Sequence, residues 1–215
     1  PVMSLNWDYN INDKMKLSSV VYGSWGRGGA TNGAGAIRGN RFFADSLKTA
    51  NGLINVDLIR NYNSGMPVVI NNVSYTRAKI NGLYESSNST SNNSTNGISQ
   101  IASVNSHNWY GAVVNLNTKL TDNLVLDFGV DARTYRGIHY QTLIDLLGSD
   151  TYNANYSATG ATSNDINNKI RSITQTSNAR PHGNPFFNSD HQNKINYNND
   201  GLVRWYGAFT QLEYS

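Results

Sequence analysis

Residues 3 to 11 alternate without a break: Met3, Leu5, Trp7, Tyr9 and Ile11 are apolar or aromatic, and Ser4, Asn6, Asp8 and Asn10 are polar. Side chains of a strand point in turn to opposite faces, so this segment predicts a strand with one apolar and one polar face. Four further segments carry the same period. In residues 15 to 25, Met15, Leu17, Val21 and Trp25 share a face with Ser19 and Gly23, but Val20 and Tyr22 on the other face leave the phase open. Tyr110, Ala112, Val114 and Leu116 oppose Gly111, Asn115 and Asn117. Leu124, Leu126, Phe128, Val130 and Ala132 oppose Asp127, Gly129, Asp131 and Arg133. Tyr206, Ala208, Thr210, Leu212 and Tyr214 oppose Gly207, Gln211 and Glu213. The predicted strands cover about 2–11, 15–25, 105–118, 124–136 and 202–215, and the tetrapeptide Trp-Tyr-Gly-Ala opens two of the segments, at Trp109 and Trp205.

Ten to twelve residues at roughly 3.3 Å each, tilted by about 40°, cover about 25 to 30 Å, the apolar thickness of an outer membrane. The connections fit that reading. Tight turns at Asn12-Asp-Lys14 and Leu120-Thr-Asp-Asn123 alternate with long stretches over about 26–104 and 137–201. Transmembrane barrels pair short periplasmic turns with long extracellular loops, whereas compact soluble domains rarely hold two such loops. The expectation is an all-β, antiparallel transmembrane β-barrel segment, residues 1–215 forming part of one barrel domain. In that topology Trp25, Tyr110 and Tyr206 form a lipid-interface girdle at the outer ends, near Trp109, Tyr135 and Trp205. Tyr9 and Tyr214 belong to the girdle at the inner ends. Asp127, Asp131 and Arg133 must then face a wet lumen or another domain plugging it, since a charge facing lipid at mid-depth costs a few kcal/mol.

Within the long stretches, Gln141 to Leu147 followed by Gly148 reads as a short helix with glycine past its end. Ile166, Ile170 and Ile173, preceded by Ser163 and Asn164, suggest a second helix, and Val56 to Tyr62 a third. Ser86 to Asn96, nearly all Ser, Asn and Thr, offers nothing to bury and is expected to be mobile.

Composition narrows the class further. An apolar fraction of 38% and a mean hydropathy of −0.50 do not fit a helical membrane protein, and no run approaches eighteen apolar residues. A barrel passes this test because only alternate residues meet lipid. There are no cysteines, so disulfide frameworks and thiolate metal sites are excluded. The net charge of +3 gives no argument for nucleic acid. The start, Pro1-Val2-Met3, has neither a basic nor an apolar leader region, which implies a processed or internal piece.

The chemistry-bearing residues form no distinctive site. Gly26 to Gly39 is glycine-rich after a strand but lacks the Gly-Lys-Ser/Thr ending of a phosphate loop and reads as a flexible surface loop. His107, His139, His182 and His191 have no partner at metal-ligand spacing. Asn196 to Gly201 lacks the calcium-loop pattern and its distal Glu. The triplets at Asn72, Asn88, Asn93 and Asn155 match glycosylation sites, as chance allows in a chain so rich in Asn, Ser and Thr. No catalytic, cofactor-binding or metal residue is assigned, and an enzyme is not expected. Arg27, Arg38, Arg41, Lys48, Arg60, Arg77 and Lys79, against Asp45, Asp57 and Glu85, form either a solvated loop or a contact for lipopolysaccharide phosphates or anionic ligands.

Three stretches together carry a family resemblance: Asn105-Ser-His-Asn-Trp-Tyr-Gly111, Gly129-Val-Asp-Ala-Arg-Thr-Tyr-Arg-Gly-Ile-His-Tyr140 and Asp145-Leu-Leu-Gly148. They resemble the middle of the barrel in SusC/RagA-like TonB-dependent transporters of Bacteroidetes outer membranes. Trp205 to Tyr214 and Leu5-Asn-Trp7 are similar to neighbouring strands of that family. The resemblance fades over 86–98 and 150–200. It implies a barrel of about 22 strands closed by a plug. It also implies import of an oligosaccharide or peptide, energy from TonB, ExbB and ExbD acting through the plug, and a SusD-like surface lipoprotein as lid. Neither plug nor TonB box is seen in these 215 residues, so the resemblance implies a segment of a longer chain with outer-membrane lipid and lipopolysaccharide as surroundings. Two other readings stand beside it: a soluble or surface β-sheet binding module of lectin or adhesin type, and an outer-membrane barrel with an assembly or secretion role.

Overall fold

In a computed structural model, which describes residues 1–90, 96–154, 171–177 and 194–215, the alternating segments form five long strands of one sheet. They are β1 (Val2–Asn12), β2 (Met15–Gly35), β6 (Ile98–Thr121), β7 (Leu124–Asp145) and β10 (Lys194–Tyr214), in the order β1-β2-β6-β7-β10. The sheet is open, with β1 and β10 as its edges. Shorter elements lie between β2 and β6: a 3-10 turn at Asp45–Leu47, α1 (Val56–Asn63), β3 (Val68–Ile70), β4 (Val73–Tyr75) and β5 (Glu85–Ser87). Between β7 and β10 come β8 (Thr151–Ala154) and β9 (Arg171–Ile173). The chain is therefore all-β with one α-helix among the described residues.

The long strands overrun the segments of alternation. Gly26 to Gly35, expected as a flexible loop, continues β2. Here the glycines answer to close neighbours: a side chain on Gly33 would collide with the Phe42 ring, and one on Gly29 with the Ser103 carbonyl. Residues 141 to 145, expected as helix, belong to β7. The chain turns after them through Leu147 (φ 49°) and Gly148 (φ 89°), so the glycine closes a turn rather than a helix. The helix expected at 56–62 is present as α1, with the Asn55 side chain capping it by accepting from Leu58 N–H at 3.0 Å. Of the three isoleucines that suggested a helix over 163–173, only Ile173 is among the described residues, and it is buried in strand β9.

The chain divides into two compact units: residues 1–27, 106–138 and 200–215, and residues 28–105 and 139–199. The first is the single-layer part of the sheet. β1 and β2 pair antiparallel with Leu5 opposite Val21 and Asn6 opposite Val20. Directly paired residues point to the same face, so this register settles the open phase of β2: Val21 belongs with Leu5, and Val20 and Tyr22 belong with the polar side. Apart from Ile138 at its boundary, none of the buried apolar residues lies in this unit.

The second unit holds the hydrophobic core, in two clusters. Ile37, Leu47, Ile59, Tyr62, Ile70, Ile98 and Leu147 form one, around α1. Ala34, Ile101, Leu143, Tyr152, Ala154, Ile173 and Ile195 form the other, under the mixed sheet β5-β8-β9, in which β5 runs parallel to β8 and β8 antiparallel to β9. The fully buried Asn63 ties distant chain segments together. Its amide donates to the carbonyls of Ile98 (2.7 Å) and Leu147 (2.8 Å), and its oxygen accepts from the Ile98 N–H (3.2 Å). Arg77, expected in a solvated basic loop, is instead 5% exposed, flanked by the rings of Tyr62 and Tyr84 and donating to the Asn63 and Glu85 carbonyls. Burial pushes its guanidinium down from the ordinary arginine value. The segment after Glu85, expected to be mobile, is held as far as Ser89: Asn96 donates to the carbonyls of Ser87 and Ser89 at 2.9 and 2.8 Å. Residues 91–95 lie outside the description.

Candidate functional site: the two faces of the sheet

Cross-strand contacts assign every long strand of the first unit to a face. Asp127 of β7 accepts from the amides of Asn115 (3.0 Å) and Asn117 (3.0 and 3.1 Å) of β6. The Phe209 ring of β10 lies over Gly129, Asp131 lies over Gly207, and the Tyr22 ring of β2 lies over Gly111. The odd positions of β6, β7 and β10 therefore share one face with the even positions of β1 and β2. On the opposite face, Tyr110 packs beside Gly23, which carries Val21 and Trp25 to its side.

One face is a continuous apolar surface. It combines Met3, Leu5, Trp7, Tyr9 and Ile11 with Leu17, Val21, Ala112, Val114, Leu116, Leu126, Phe128, Val130, Ala208 and Leu212. Much of it is open: Leu5 is 71% exposed, Leu212 62% and Val130 44%. Trp25, Tyr110 and Tyr206 stand on this face at the end away from the two short turns. Tyr9, stacked on Trp7 at 5.7 Å between centroids, and Tyr214 stand on it toward the turn end. Beyond the first three aromatics comes a polar margin, where Arg27 donates to Asn108 Oδ1 at 2.6 Å and Arg136 to Asp200 Oδ2 at 2.9 Å.

The other face holds the charges. Besides the Asn115, Asn117 and Asp127 cluster, Arg133 pairs with Asp131 at 2.8 Å, the Asp131 side chain being 11% exposed. Asp8 and Lys16 pair at 3.1 Å. Toward the end away from the turns, aromatic rings join them. Trp109 meets Tyr22 and Tyr135 edge-on, Tyr135 stacks on His107, and Trp109, Tyr135, Trp205, Val203 and Arg133 line a groove of about 280 Å³. Flat rings beside a guanidinium and a carboxylate can stack on a ligand while hydrogen-bonding its polar groups.

The five girdle residues and the three charged residues named from sequence are thus sorted onto opposite faces, Trp25, Tyr110, Tyr206, Tyr9 and Tyr214 on the apolar one and Asp127, Asp131 and Arg133 on the polar one. Sequence reasoning missed the Arg27, Asn108, Arg136 and Asp200 margin. Its signal was available, since Asn108, Arg136 and Asp200 continue the even-numbered rows of Tyr110, Thr134 and Leu202 outward. Of the histidines, His107 packs against Gly26 and Tyr135, and His139 Nδ1 meets Asn105 Oδ1 at 2.6 Å. His182 and His191 lie outside the described residues. Among the described residues no group of three or more His, Asp or Glu is placed to hold a metal, and no helix is long and apolar enough to cross a membrane. Comparison with protein-family models, curated proteins and solved structures returns no match.

Proposed function

We propose that this chain is part of a transmembrane β-barrel of the outer membrane, of the SusC-like TonB-dependent class, importing an oligosaccharide or peptide. The observation that carries the reading is the apolar face of the single-layer sheet. An apolar surface running the length of five strands, bounded by aromatic rings at both ends and by an ion-paired margin beyond one of them, is what a lipid-facing wall requires. A soluble sheet module would bury such a face against a second layer. The opposite face, with its Arg133–Asp131 ion pair and its hydrogen-bonded Asp127, suits a wet lumen. The aromatic groove of Trp109, Tyr135 and Trp205 would meet cargo there.

The long connections are then extracellular and the turns at Asn12–Lys14 and Asp122–Asn123 periplasmic. The open edges at β1 and β10 would pair with further barrel strands, because unpaired backbone groups are not tolerated in lipid. A SusD-like lipoprotein lid and the TonB, ExbB and ExbD system acting through a plug belong to the same proposal, and no catalytic role is assigned. The decisive experiment is to fractionate the native envelope and weigh the intact complex. The proposal expects an outer-membrane protein several times longer than these residues, with a lipoprotein co-purifying. A water-soluble monomer would refute it.

A further inference from the structure

Asn-Gly occurs four times in the chain, at Asn32-Gly33, Asn51-Gly52, Asn81-Gly82 and Asn96-Gly97. From their surroundings we infer that Asn81 is a site of self-modification, losing ammonia to become isoaspartate or aspartate while the other three are held as asparagine. In this step the Gly82 nitrogen gives its proton to hydroxide and attacks Asn81 Cγ. The N–Cγ bond forms, the Cγ–Nδ2 bond breaks, and the side-chain nitrogen takes a proton from water and leaves as ammonia. Water then opens the cyclic imide at either carbonyl, giving isoaspartate or aspartate. The inference is independent of the membrane-spanning reading.

Glycine suits the step because no side chain crowds its nitrogen, but that nitrogen must also be free, and the chain must be able to bring it within about 3.5 Å of Cγ. Three pairs fail this condition. Asn96 is 5% exposed, and its side chain accepts from Ser87 Oγ (3.0 Å) and donates to the Ser87 and Ser89 carbonyls. Asn32 lies inside β2, where the Gly33 N–H is held on Asn32 Oδ1 at 2.8 Å and the Phe42 side chain fills the space over Gly33. Asn51 is exposed, but the Gly52 N–H donates to the Thr49 carbonyl at 2.9 Å.

Asn81 and Gly82 differ on each count. Both are exposed, and a side chain on Gly82 would meet nothing within 4 Å. Neither the Asn81 side chain nor the Gly82 N–H has a hydrogen bond among the described residues. They are the central residues of a tight turn, with φ of 48° and 82°, the left-handed pair that suits Asn-Gly. Only the reciprocal Ile80 and Leu83 backbone bonds, at 2.8 and 3.0 Å, close that turn, so it can open locally without disturbing the core. Isoaspartate carries the backbone through the side chain and adds one methylene to the turn, which breaks this pairing. Tyr84 follows, with Arg77 at 5.5 Å and Lys79 at 5.0 Å over its ring, and it loses its fixed lead-in.

The test uses the full-length protein, kept folded at mildly alkaline pH. Peptide mass spectrometry follows each Asn-Gly pair, and isoaspartyl methyltransferase labels the product. Asn81 should gain one mass unit at least about fivefold faster than Asn32, Asn51 or Asn96, the ratio that one hydrogen bond's opening gives. In protein unfolded by urea the four rates should converge, since the reacting pair is the same. Proteolysis within 28–105 should quicken in the aged protein, and Asn81→Gly, which keeps the turn but has no carboxamide, should prevent it. A folded protein in which Asn81 reacts no faster than the other three overturns the site. An order of rates that survives unfolding overturns its structural cause. Aged Asn81→Gly protein that is cut as fast as aged wild type overturns the link to the turn.

Discussion

The Phe209 ring of β10 occupies the space that a side chain at Gly129 of β7 would need. The pair stands on the charged face, where a large apolar ring would otherwise be out of place. The ring covers backbone that the glycine leaves bare, and Tyr22 does the same over Gly111. Gly129→Ala should therefore destabilise the sheet by about 1–3 kcal/mol, the usual cost of overpacking. Phe209→Ala in the same chain should relieve most of that cost. A double-mutant cycle on urea unfolding in detergent checks the coupling; additive effects would separate the two residues.

The two faces should respond unequally to charge. Val130→Arg puts a cation on the apolar face and should cost about 2–4 kcal/mol at mid-depth, enough to deplete assembled protein in the outer membrane. Asp127→Asn keeps an acceptor for Asn115 or Asn117 on the other face and should assemble nearly normally. The amount of folded protein in outer-membrane fractions reads both, and equal tolerance would sink the membrane reading.

Asn63 is the residue on which the second unit depends most. Asn63→Ala strands the Leu147 carbonyl and both backbone groups of Ile98 in a buried site, each otherwise satisfied by this side chain. Leaving buried polar groups unpaired costs about 1–3 kcal/mol apiece. Faster proteolysis within 28–105 and 139–199 is expected, with the strands of the first unit unaffected.

Tyr152 makes the second unit sensitive to alkali. Its fully buried hydroxyl donates to Asn196 Oδ1 at 3.0 Å, and burial pushes its ionisation up to about 12. In the unfolded chain a tyrosine ionises near about 10. Between those values the folded state holds a proton that the unfolded state has lost, so stability falls as pH rises. The contribution is complete below the lower value and gone above the upper one, a loss of about 2–3 kcal/mol. Tyr152→Phe should flatten that part of the profile. Urea midpoints of both proteins at about pH 9 and about pH 11.5 give the comparison.

What the sequence disclosed follows from what each segment faces. Alternation was clear in β1 and in the parts of β6, β7 and β10 that belong to the single-layer sheet, because their two faces differ in polarity. It failed where the same strands enter the second unit. Gly29, Gly33 and Gly35 carry no side chain to show a period, and they fit because Ser103, Phe42 and the Gly97 carbonyl come close. Around residues 141–147, Leu143 and Leu147 are both buried, Ile144 and Leu146 partly so, and a strand apolar on both faces resembles a helix turn in sequence. The Asn63 and Arg77 networks span tens of residues, and no local pattern marks a side chain that bonds the backbone of another segment. On the candidate site, the sorting of girdle and charged residues needed only the period of two. The groove of Trp109, Tyr135 and Trp205 needed the register of three strands, which the sequence does not hold.

The parallel pairing of β5 with β8 also has a consequence in time. Glu85 meets Thr151, and the Tyr84 N–H reaches Asp150 across 66 residues of chain. Pairings this distant form slowly because the closure entropy must be met first. Until β8 arrives, the edge of β5 that pairs with Thr151–Asn153 waits without that partner. By this reasoning the second unit completes late, after β6 and β7 have been joined by their two-residue turn.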